Sequence, residues 1–391
     1  WLKHYPPGVP HDIDTEQYKS LTDLLETAFR QHGDSPFSVC MNRWMSYREL
    51  DQLSTAMGAW LQSQGLAPGS RVAIMLPNLP QFSVSMAAIL RAGYTCVNVN
   101  PLYTARELQH QLKDSGATAI VILENFASTL SEVIEHTQVK HTVLASMGDL
   151  LGPFYGRWIT FAVRHLAKMV PEFELPLSDK HQVTSFKQAI AAGRNMSFKS
   201  APQSLDDIAF LQYTGGTTGT PKGAMLTHQN LIANARQVHA IDPGTADGDR
   251  IVGVLPFFHV FANTCVLNRT VVAGGLIAML PRFDAKATLQ TIARVKAAAL
   301  PGVPTIAESG LPGYDATAWQ GLVGPAGMNP EVVKKINEAF NKVMVTPALR
   351  DKLIAGGLDP MGGTPAQFSR FIDSEITKWT KIAKDVGAKA E

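Results

Sequence analysis

The chain has 391 residues and a mass of 42.4 kDa, long enough for more than one domain with a sizeable core. Hydrophobic residues make up 45% of it and charged residues 17%, which excludes a disordered chain. Its 35 lysines and arginines nearly balance 33 aspartates and glutamates, so we expect no nucleic-acid partner. Three widely spaced cysteines, Cys40, Cys96 and Cys265, predict buried thiols rather than a disulfide framework or a metal site.

The start of the chain and its apolar segments bear on location. The first residue is Trp1 rather than Met, and no secretory segment follows it, which predicts a trimmed or partial chain without an export signal. No stretch of about 18 apolar residues is free of charges, so no membrane-spanning helix is predicted. We therefore expect a cytoplasmic protein, either free or peripheral to the inner membrane.

Between residues 45 and 125, short β-rich runs alternate with amphipathic helical stretches. The pattern predicts three strands and two intervening helices, namely strands Arg71–Leu76, Thr95–Val99 and Thr118–Leu123 and helices Gln81–Arg91 and Ala105–Lys113. This β-α-β-α-β order implies parallel strands joined by helical crossovers, hence a doubly wound α/β fold. Such sheets bind ligands at the carboxyl ends of their strands.

Residues 156–170 carry apolar and basic side chains on separate helical faces. Trp158 and Leu166 lie on the apolar face, while Arg157, Arg164 and Lys168 share the other. A basic helix with aromatic residues can lie in a bilayer interface, which predicts peripheral membrane contact through this segment. The alternative is a helix that covers an apolar groove of its own domain.

A glycine- and threonine-rich segment, Tyr213–Gly223 (YTGGTTGTPKG), connects two predicted strands. Strand Ala209–Tyr213 precedes it, and strand Ala224–Leu226 follows. Thr227 is then predicted to cap a helix at His228–Arg236.

The composition of this segment suits a polyphosphate. Glycines let backbone N–H groups converge on oxygen atoms, hydroxyls donate further hydrogen bonds, and Lys222 supplies a mobile positive charge. The segment is not a Walker loop, because its lysine precedes a glycine and no hydroxyl residue follows directly. A plain hairpin turn is the alternative interpretation.

The last part of the chain contains two helices with clear start signals. Asn329 is predicted to cap a helix that begins with Pro330, and Thr364 to Gln367 form a predicted capping box. The apolar positions of both helices are predicted to be core, namely Val332, Val333, Ile336, Phe340 and Val343 in the first and Phe368, Phe371, Ile372, Ile376 and Trp379 in the second.

Residues 1 to about 294 resemble bacterial long-chain fatty-acid–CoA ligases of the AMP-forming acyl-CoA synthetase superfamily. The resemblance rests on the segment Tyr213–Gly223 and on three further stretches, Trp1–Pro6 (WLKHYP), Asn98–Leu108 (NVNPLYTAREL) and Leu255–Phe261 (LPFFHVF). It implies ATP-dependent activation of a fatty acid through an acyl-adenylate to acyl-CoA. ATP, Mg²⁺ and coenzyme A are the implied cofactors, and no metal-ligating residues are assigned.

The resemblance also implies roles for particular residues. The β- and γ-phosphates of ATP would be held by Thr214, Gly215, Gly216, Thr217, Thr218, Gly219 and Lys222. His259 matches the histidine of the family's second motif beside the acyl and adenylate site, and Phe257 and Phe258 would border the acyl chain. From the residues alone, a histidine inside an apolar run is more often a core residue.

The family's later motifs have no counterpart after residue 294. They include the Tyr-Gly-x-Thr-Glu segment for adenine and Mg²⁺, the aspartate for the ribose, the hinge and the lysine that drives adenylation. No complete catalytic set can therefore be assigned, and we expect a truncated chain that is inactive as it stands.

The tail resembles a different family. Leu300–Gly327 and Gly362–Phe371 (GGTPAQFSRF) are similar to the C-terminal part of Bug-type solute-binding proteins of tripartite tricarboxylate transporters. The predicted domains are thus a partial AMP-binding domain at 1–294 and a partial solute-binding, periplasmic-binding-protein-like segment at 295–391, with a seam near Thr291–Ala299. The alternatives to a ligase are an inactive chimera without a selected function and a carboxylate-binding transporter component.

Overall fold

The computed structural model describes residues 5, 8–176, 180–214, 221–241, 249–301, 328–347, 349–350, 353 and 361–385. The chain divides into two compact units, residues 7–301 and residues 302–391 with the first six residues. The predicted boundary at residue 294 and the functional assignment of the two parts stay predictions.

The strands of the larger unit lie in two sheets. They are β1 (Pro36–Cys40), β2 (Arg43–Ser46), β3 (Arg71–Met75), β4 (Thr95–Asn98), β5 (Ala119–Leu123), β6 (His141–Ala145), β7 (Gln182–Ser185), β8 (Ile208–Thr214), β9 (Lys222–Thr227), β10 (Arg250–Gly253) and β11 (Leu276–Met279). One sheet has the order β7-β6-β5-β3-β4-β8-β9 and is parallel except for the β8–β9 pair. The other has the order β10-β11-β1-β2 and is parallel except for β1–β2.

Helices connect these strands. They are α1 (Leu21–His32), α2 (Tyr47–Ser63), α3 (Pro80–Arg91), α4 (Ala105–Ser115), α5 (Ala127–Ser131), α6 (Pro153–Phe161), α7 (Phe186–Gly193), α8 (His228–Ala240), α9 (Val260–Ala262), α10 (Arg269–Ala273) and α11 (Ala285–Val295). Short 3₁₀ turns occupy Glu124–Phe126 and Ile134–His136, and π-helical stretches follow α6 (Ala162–Leu166) and α9 (Asn263–Asn268).

Both faces of the central strands are buried. In β3, Val72 and Ile74 belong to one hydrophobic cluster, whereas Ala73 and Met75 belong to another. A parallel sheet covered on both sides needs apolar residues at consecutive positions, which explains the continuous apolar run in the sequence. The predicted β-α-β-α-β order is confirmed, with each strand and helix within a few residues of its predicted bounds.

The glycine- and threonine-rich segment lies between two strands, as predicted, and the structure pairs these strands antiparallel. Strand β8 ends at Thr214 and β9 begins at Lys222, and the predicted helix after β9 is α8. Thr227 accepts a hydrogen bond from the backbone N–H of Asn230 and so caps α8.

Residues 156–170 contain a shorter helix than predicted. Helix α6 begins at Pro153, becomes π-helical at Ala162, and Lys168 then adopts a positive φ of 50°. Phe154, Trp158 and Phe161 are 88%, 59% and 51% exposed, so they do not cover a groove of their own domain. In the part of the chain that the structure describes, no helix is long and apolar enough to cross a bilayer.

The smaller unit contains helices α12 (Pro330–Met344) and α13 (Pro365–Asp385). Both predicted caps are confirmed, because Asn329 accepts from the N–H of Glu331, and Thr364 and Gln367 bond to each other's backbone N–H groups. The residue before this capping box is also held, since the Asn341 side chain accepts from the N–H of Gly363.

The prediction that the apolar positions of these helices are core is wrong for several of them. In α12 Ile336 is 47% exposed, and in α13 Ile376 is 59% exposed. Periodicity identifies the apolar face of a helix, but burial also needs a partner surface. Among the described residues of this unit no strand offers one, and Trp379's side chain lies outside the described residues.

Candidate functional site

The β8–β9 hairpin places two predicted site residues opposite each other. Thr214 is the last residue of β8, and it pairs with Lys222, the first residue of β9. The Lys222 side chain is exposed. Predicted residues 215–219 lie outside the described residues, as does the side chain of Thr214, so the structure defines the base of the loop.

Helix α4 holds both strands of this base. Tyr213 donates its hydroxyl hydrogen to Asp114 Oδ2 at 2.5 Å. Burial and this carboxylate raise the pKa of Tyr213, so its hydroxyl stays neutral. Directly before the other strand, His110 Nε2 lies 3.3 Å from the carbonyl oxygen of Pro221. Within that strand, a Cβ on Gly223 would lie 3.0 Å from the Tyr213 ring.

The segment that carries His259 is anchored by one buried amide. Asn78, which follows β3, donates to the carbonyl oxygens of Gly253 at 3.0 Å and Leu255 at 2.8 Å. Its Oδ1 accepts from the N–H of Phe257 at 2.9 Å. These three bonds tie the end of β10 to the carboxyl end of β3, and they bring the two sheets together at this edge.

A second buried amide joins this segment to β8. Gln212 donates from Nε2 to the carbonyl oxygen of Phe258 at 3.0 Å, and Asn98 donates from Nδ2 to Gln212 Oε1 at 3.1 Å. Gln111 in turn donates to the backbone carbonyl of Asn98 at 2.8 Å. The structure therefore brings the His259 segment to the strand that leads into the glycine- and threonine-rich loop.

The three predicted substrate residues differ in exposure. Phe257 is fully buried, and its ring meets that of Phe82 edge-on with centroids 5.8 Å apart. Phe258 is half-buried, while His259 is exposed and caps α9, with Nδ1 accepting from the N–H of Phe261 at 3.3 Å. His259 and Phe258 thus offer surface to a ligand, and the predicted ligand contact of Phe257 would require core rearrangement.

Sequence reasoning missed the buried amides Asn78, Asn98 and Gln212. Asn78 follows β3, whereas Asn98 ends β4 and Gln212 lies within β8, two neighbouring strands of a covered parallel sheet. Strands of this kind are normally apolar, so a polar side chain within one is the signal that could have identified them.

The described residues contain no group of three or more His, Cys, Asp or Glu side chains arranged to hold a metal ion. A cavity of about 630 Å³ lies at the opposite end of the large sheet, beside the first residues of β6 and β7. It is therefore separate from the β8–β9 hairpin.

The fold is that of the N-terminal domain of adenylate-forming enzymes. A crystal structure of a long-chain-fatty-acid-CoA ligase from Archaeoglobus fulgidus superposes with a TM-score of 0.63 at 24% identity, covering 87% of this chain and 64% of the other. The anthranilate CoA ligase AuaEII superposes with a TM-score of 0.63 at 20% identity, covering 76% of this chain and 52% of the other.

The chain belongs to the AMP-binding enzyme family, whose model matches residues 25–347. It is 43% identical to the long-chain-fatty-acid–CoA ligase of Salmonella typhimurium over 314 residues, which are 78% of this chain and 54% of that protein. It is 32% identical to the corresponding ligase of Bacillus subtilis over 352 residues, which are 88% of this chain and 62% of that protein. The chain thus spans little more than half the length of these relatives.

The family match bears on the predicted seam. It continues to residue 347, across Thr291–Ala299, and therefore lends no support to a second origin for the tail.

Proposed function

We propose that this chain carries the ATP- and acyl-binding part of a long-chain fatty-acid–CoA ligase, in the cytoplasm. The observation that carries the proposal is the link from the β8–β9 hairpin, with Thr214 and Lys222 at its base, to the His259 segment through Gln212. Adenylation needs an acyl carboxylate and the phosphates of ATP side by side, and this link holds the two predicted binding segments together.

The proposed reaction has two steps. A fatty-acid carboxylate attacks the α-phosphorus of ATP and releases pyrophosphate, and the thiol of coenzyme A then displaces AMP. The protein contributes positioning and charge neutralisation, because the first step is an in-line displacement. Lys222 would neutralise phosphate charge, the loop residues 214–219 would donate hydrogen bonds to the β- and γ-phosphates, and Phe258 and His259 would border the acyl group.

The donors of the hairpin suit a magnesium-bound nucleotide. An ammonium group, hydroxyls and backbone N–H groups bind phosphate oxygens. Mg²⁺ keeps several waters and is commonly held through substrate phosphates, so it needs no cage of protein carboxylates here. We therefore propose that this part of the ligase binds MgATP through the hairpin.

Lys222→Ala is expected to weaken MgATP binding by about tenfold or more, because a charge-assisted hydrogen bond contributes roughly 1.5–3 kcal/mol. For the unmodified chain, MgATP at about 100 times its dissociation constant should stabilise the fold by about 2.7 kcal/mol. Thermal unfolding with and without MgATP measures both effects.

Lys140→Ala is the matched control, because this exposed lysine precedes β6 at the opposite end of the large sheet. A transition that MgATP does not move in the unmodified chain would contradict the nucleotide proposal.

The tail's resemblance to solute-binding proteins supports a second proposal, that residues 295–391 derive from a carboxylate-binding protein in a chimera. Citrate in place of MgATP tests it in the same assay.

We further propose that α6 and the π-helical stretch after it contact an anionic membrane surface. Phe154, Trp158 and Phe161 present exposed rings, and Arg157 and Lys168 are exposed nearby. Apolar rings beside basic side chains suit the boundary between headgroups and acyl chains. Arg164 is not available for this role, because it bonds to the buried carboxylate of Glu124 at 2.5 Å.

Trp158→Ser is expected to weaken binding to vesicles that contain anionic lipid by about tenfold, since burial of a large side chain contributes about 1.5–3 kcal/mol. Vesicle co-sedimentation measures the change. Trp44→Ser is the control, because Trp44 in β2 is also exposed and lies outside this segment. Equal binding by both variants and the unmodified chain would contradict the proposed contact.

A further inference from the structure

A buried carboxylate lies at the carboxyl end of β5. Glu124 directly follows this strand and is 1% exposed. Its Oε2 atom accepts hydrogen bonds from Nε and Nη2 of Arg164, at 2.8 Å and 2.5 Å. Its Oε1 atom has no hydrogen-bond partner among the described residues. The ion pair with Arg164 therefore balances this buried charge at a single oxygen atom.

The other member of the pair, Arg164, faces solvent. Its side chain is 45% exposed, and it lies in the π-helical stretch that follows the exposed Phe161. A guanidinium offers the same fork of N–H donors to a phosphate as to a carboxylate. The phosphate of a lipid headgroup can thus compete with Glu124 for Arg164.

The region around Glu124 holds the π-helical stretch at further points. Asn125, the next residue, donates from Nδ2 to the carbonyl oxygen of Met169 at 2.9 Å. Ser146 Oγ, after β6, lies 3.3 Å from Arg164 Nη2. Removal of Arg164 from this place leaves a buried carboxylate without its counterion, which is unfavourable. Glu124 therefore opposes any other use of the Arg164 charge.

We propose that Glu124 withholds Arg164 from an anionic membrane surface, so that this ion pair limits the membrane contact of α6 and the π-helical stretch. The inference rests on the membrane contact proposed above. Without the Glu124 charge, Arg164 joins Arg157 and Lys168 as a basic group for headgroup phosphates. One additional basic side chain near an anionic surface strengthens binding by about fivefold.

Co-sedimentation of the full chain with vesicles of phosphatidylglycerol and phosphatidylcholine tests the inference. Glu124→Gln keeps the shape of the side chain and removes its charge, so it is expected to bind these vesicles about fivefold more tightly than the unmodified chain. The gain should be absent with vesicles of phosphatidylcholine alone. Glu124→Gln combined with Arg164→Gln should also lose the gain, because the released charge is then missing.

Thermal unfolding checks that each variant folds. If Glu124→Gln does not fold, Glu124→Leu takes its place, because an apolar side chain of similar size at a buried ion-pair position is often tolerated. The same gain in vesicle binding is expected from it.

Asp149→Asn is the matched control, since it also removes a negative charge from a buried position near Glu124. Asp149 accepts from the N–H of Ser146 at 2.7 Å, and its side chain is 8% exposed. Its ion-pair partner is Lys187 of α7, at 3.5 Å, rather than a residue of the π-helical stretch. This variant should bind vesicles as the unmodified chain does.

Equal binding by Glu124→Gln and the unmodified chain overturns the inference. An equal gain in Asp149→Asn also overturns it, because net charge then explains the effect, and so does a gain that persists in the double variant. If the unmodified chain does not bind phosphatidylglycerol vesicles, or if Trp158→Ser binds them equally well, the proposed membrane contact itself is wrong and the inference falls with it.

Discussion

Replacement of Phe257 by alanine is expected to lower the free energy of unfolding by about 3–5 kcal/mol, the range for large-to-small changes at a buried phenylalanine. The ring is fully buried and packs edge-on against Phe82. A Cβ on Gly253 would lie 2.9 Å from the Phe257 ring, so the backbone of Gly253 also packs closely against it. Urea unfolding of the full chain measures the loss.

Phe258→Ala provides the comparison within the same motif. Phe258 is half-buried and its described hydrogen bond uses the backbone carbonyl, which the substitution leaves in place. We therefore expect a smaller loss of stability from Phe258→Ala than from Phe257→Ala. Equal losses would contradict the division of this motif into a core residue and a surface residue.

The second prediction concerns acid stability and depends on His228. Its Nδ1 accepts a hydrogen bond at 3.0 Å from the backbone N–H of Leu21, the first residue of α1. Burial lowers the pKa of His228 from 6.5 to about 4, with the nearby Asp207 acting weakly in the opposite direction. The neutral ring is therefore the form that fits the fold, and protonation would put an N–H opposite the Leu21 N–H.

The sign of the pH effect follows from the lowered pKa. The unfolded chain binds a proton at His228 below about pH 6.5, while the folded chain resists it down to about pH 4. The contribution of His228 is complete above pH 6.5 and is lost between these values. The expected loss is about 3 kcal/mol in the free energy of unfolding.

His228→Asn should reduce this pH dependence, because an amide oxygen can accept from Leu21 without titrating. Unfolding by urea at several pH values between 7 and 4 measures the difference. Burial also lowers the pKa values of His141 and His181, so part of the acid loss remains in the variant. His136→Asn, at an exposed histidine, should leave the wild-type slope unchanged, and the same slope in His228→Asn would contradict the prediction.

Local patterns in the sequence predicted much of the large sheet. The run RVAIM in β3 is apolar at every position after the first, as a strand covered on both faces requires. The two strands on either side of the glycine- and threonine-rich segment were also predicted, because turn residues separate two β-rich runs.

Contacts between distant residues could not be predicted in this way. Asn78 and Phe257 are far apart in the chain, and no local pattern relates them, yet they share a hydrogen bond. The aromatic residues of the LPFFHVF motif look alike in sequence, but the structure buries Phe257 and leaves Phe261 49% exposed. Only the tertiary structure separates them, by packing Phe257 against Phe82 of α3.

The sequence by itself determined where strands, helices and caps begin, because these depend on side chains a few residues apart. It also contained the loop chemistry that points to the AMP-binding enzyme family, to which the chain belongs. Tertiary structure alone decided which apolar faces are covered, as the exposed Ile336 and Trp158 illustrate. It also decided that Gln212 meets Phe258, because burial and hydrogen bonding between distant segments depend on how whole elements pack.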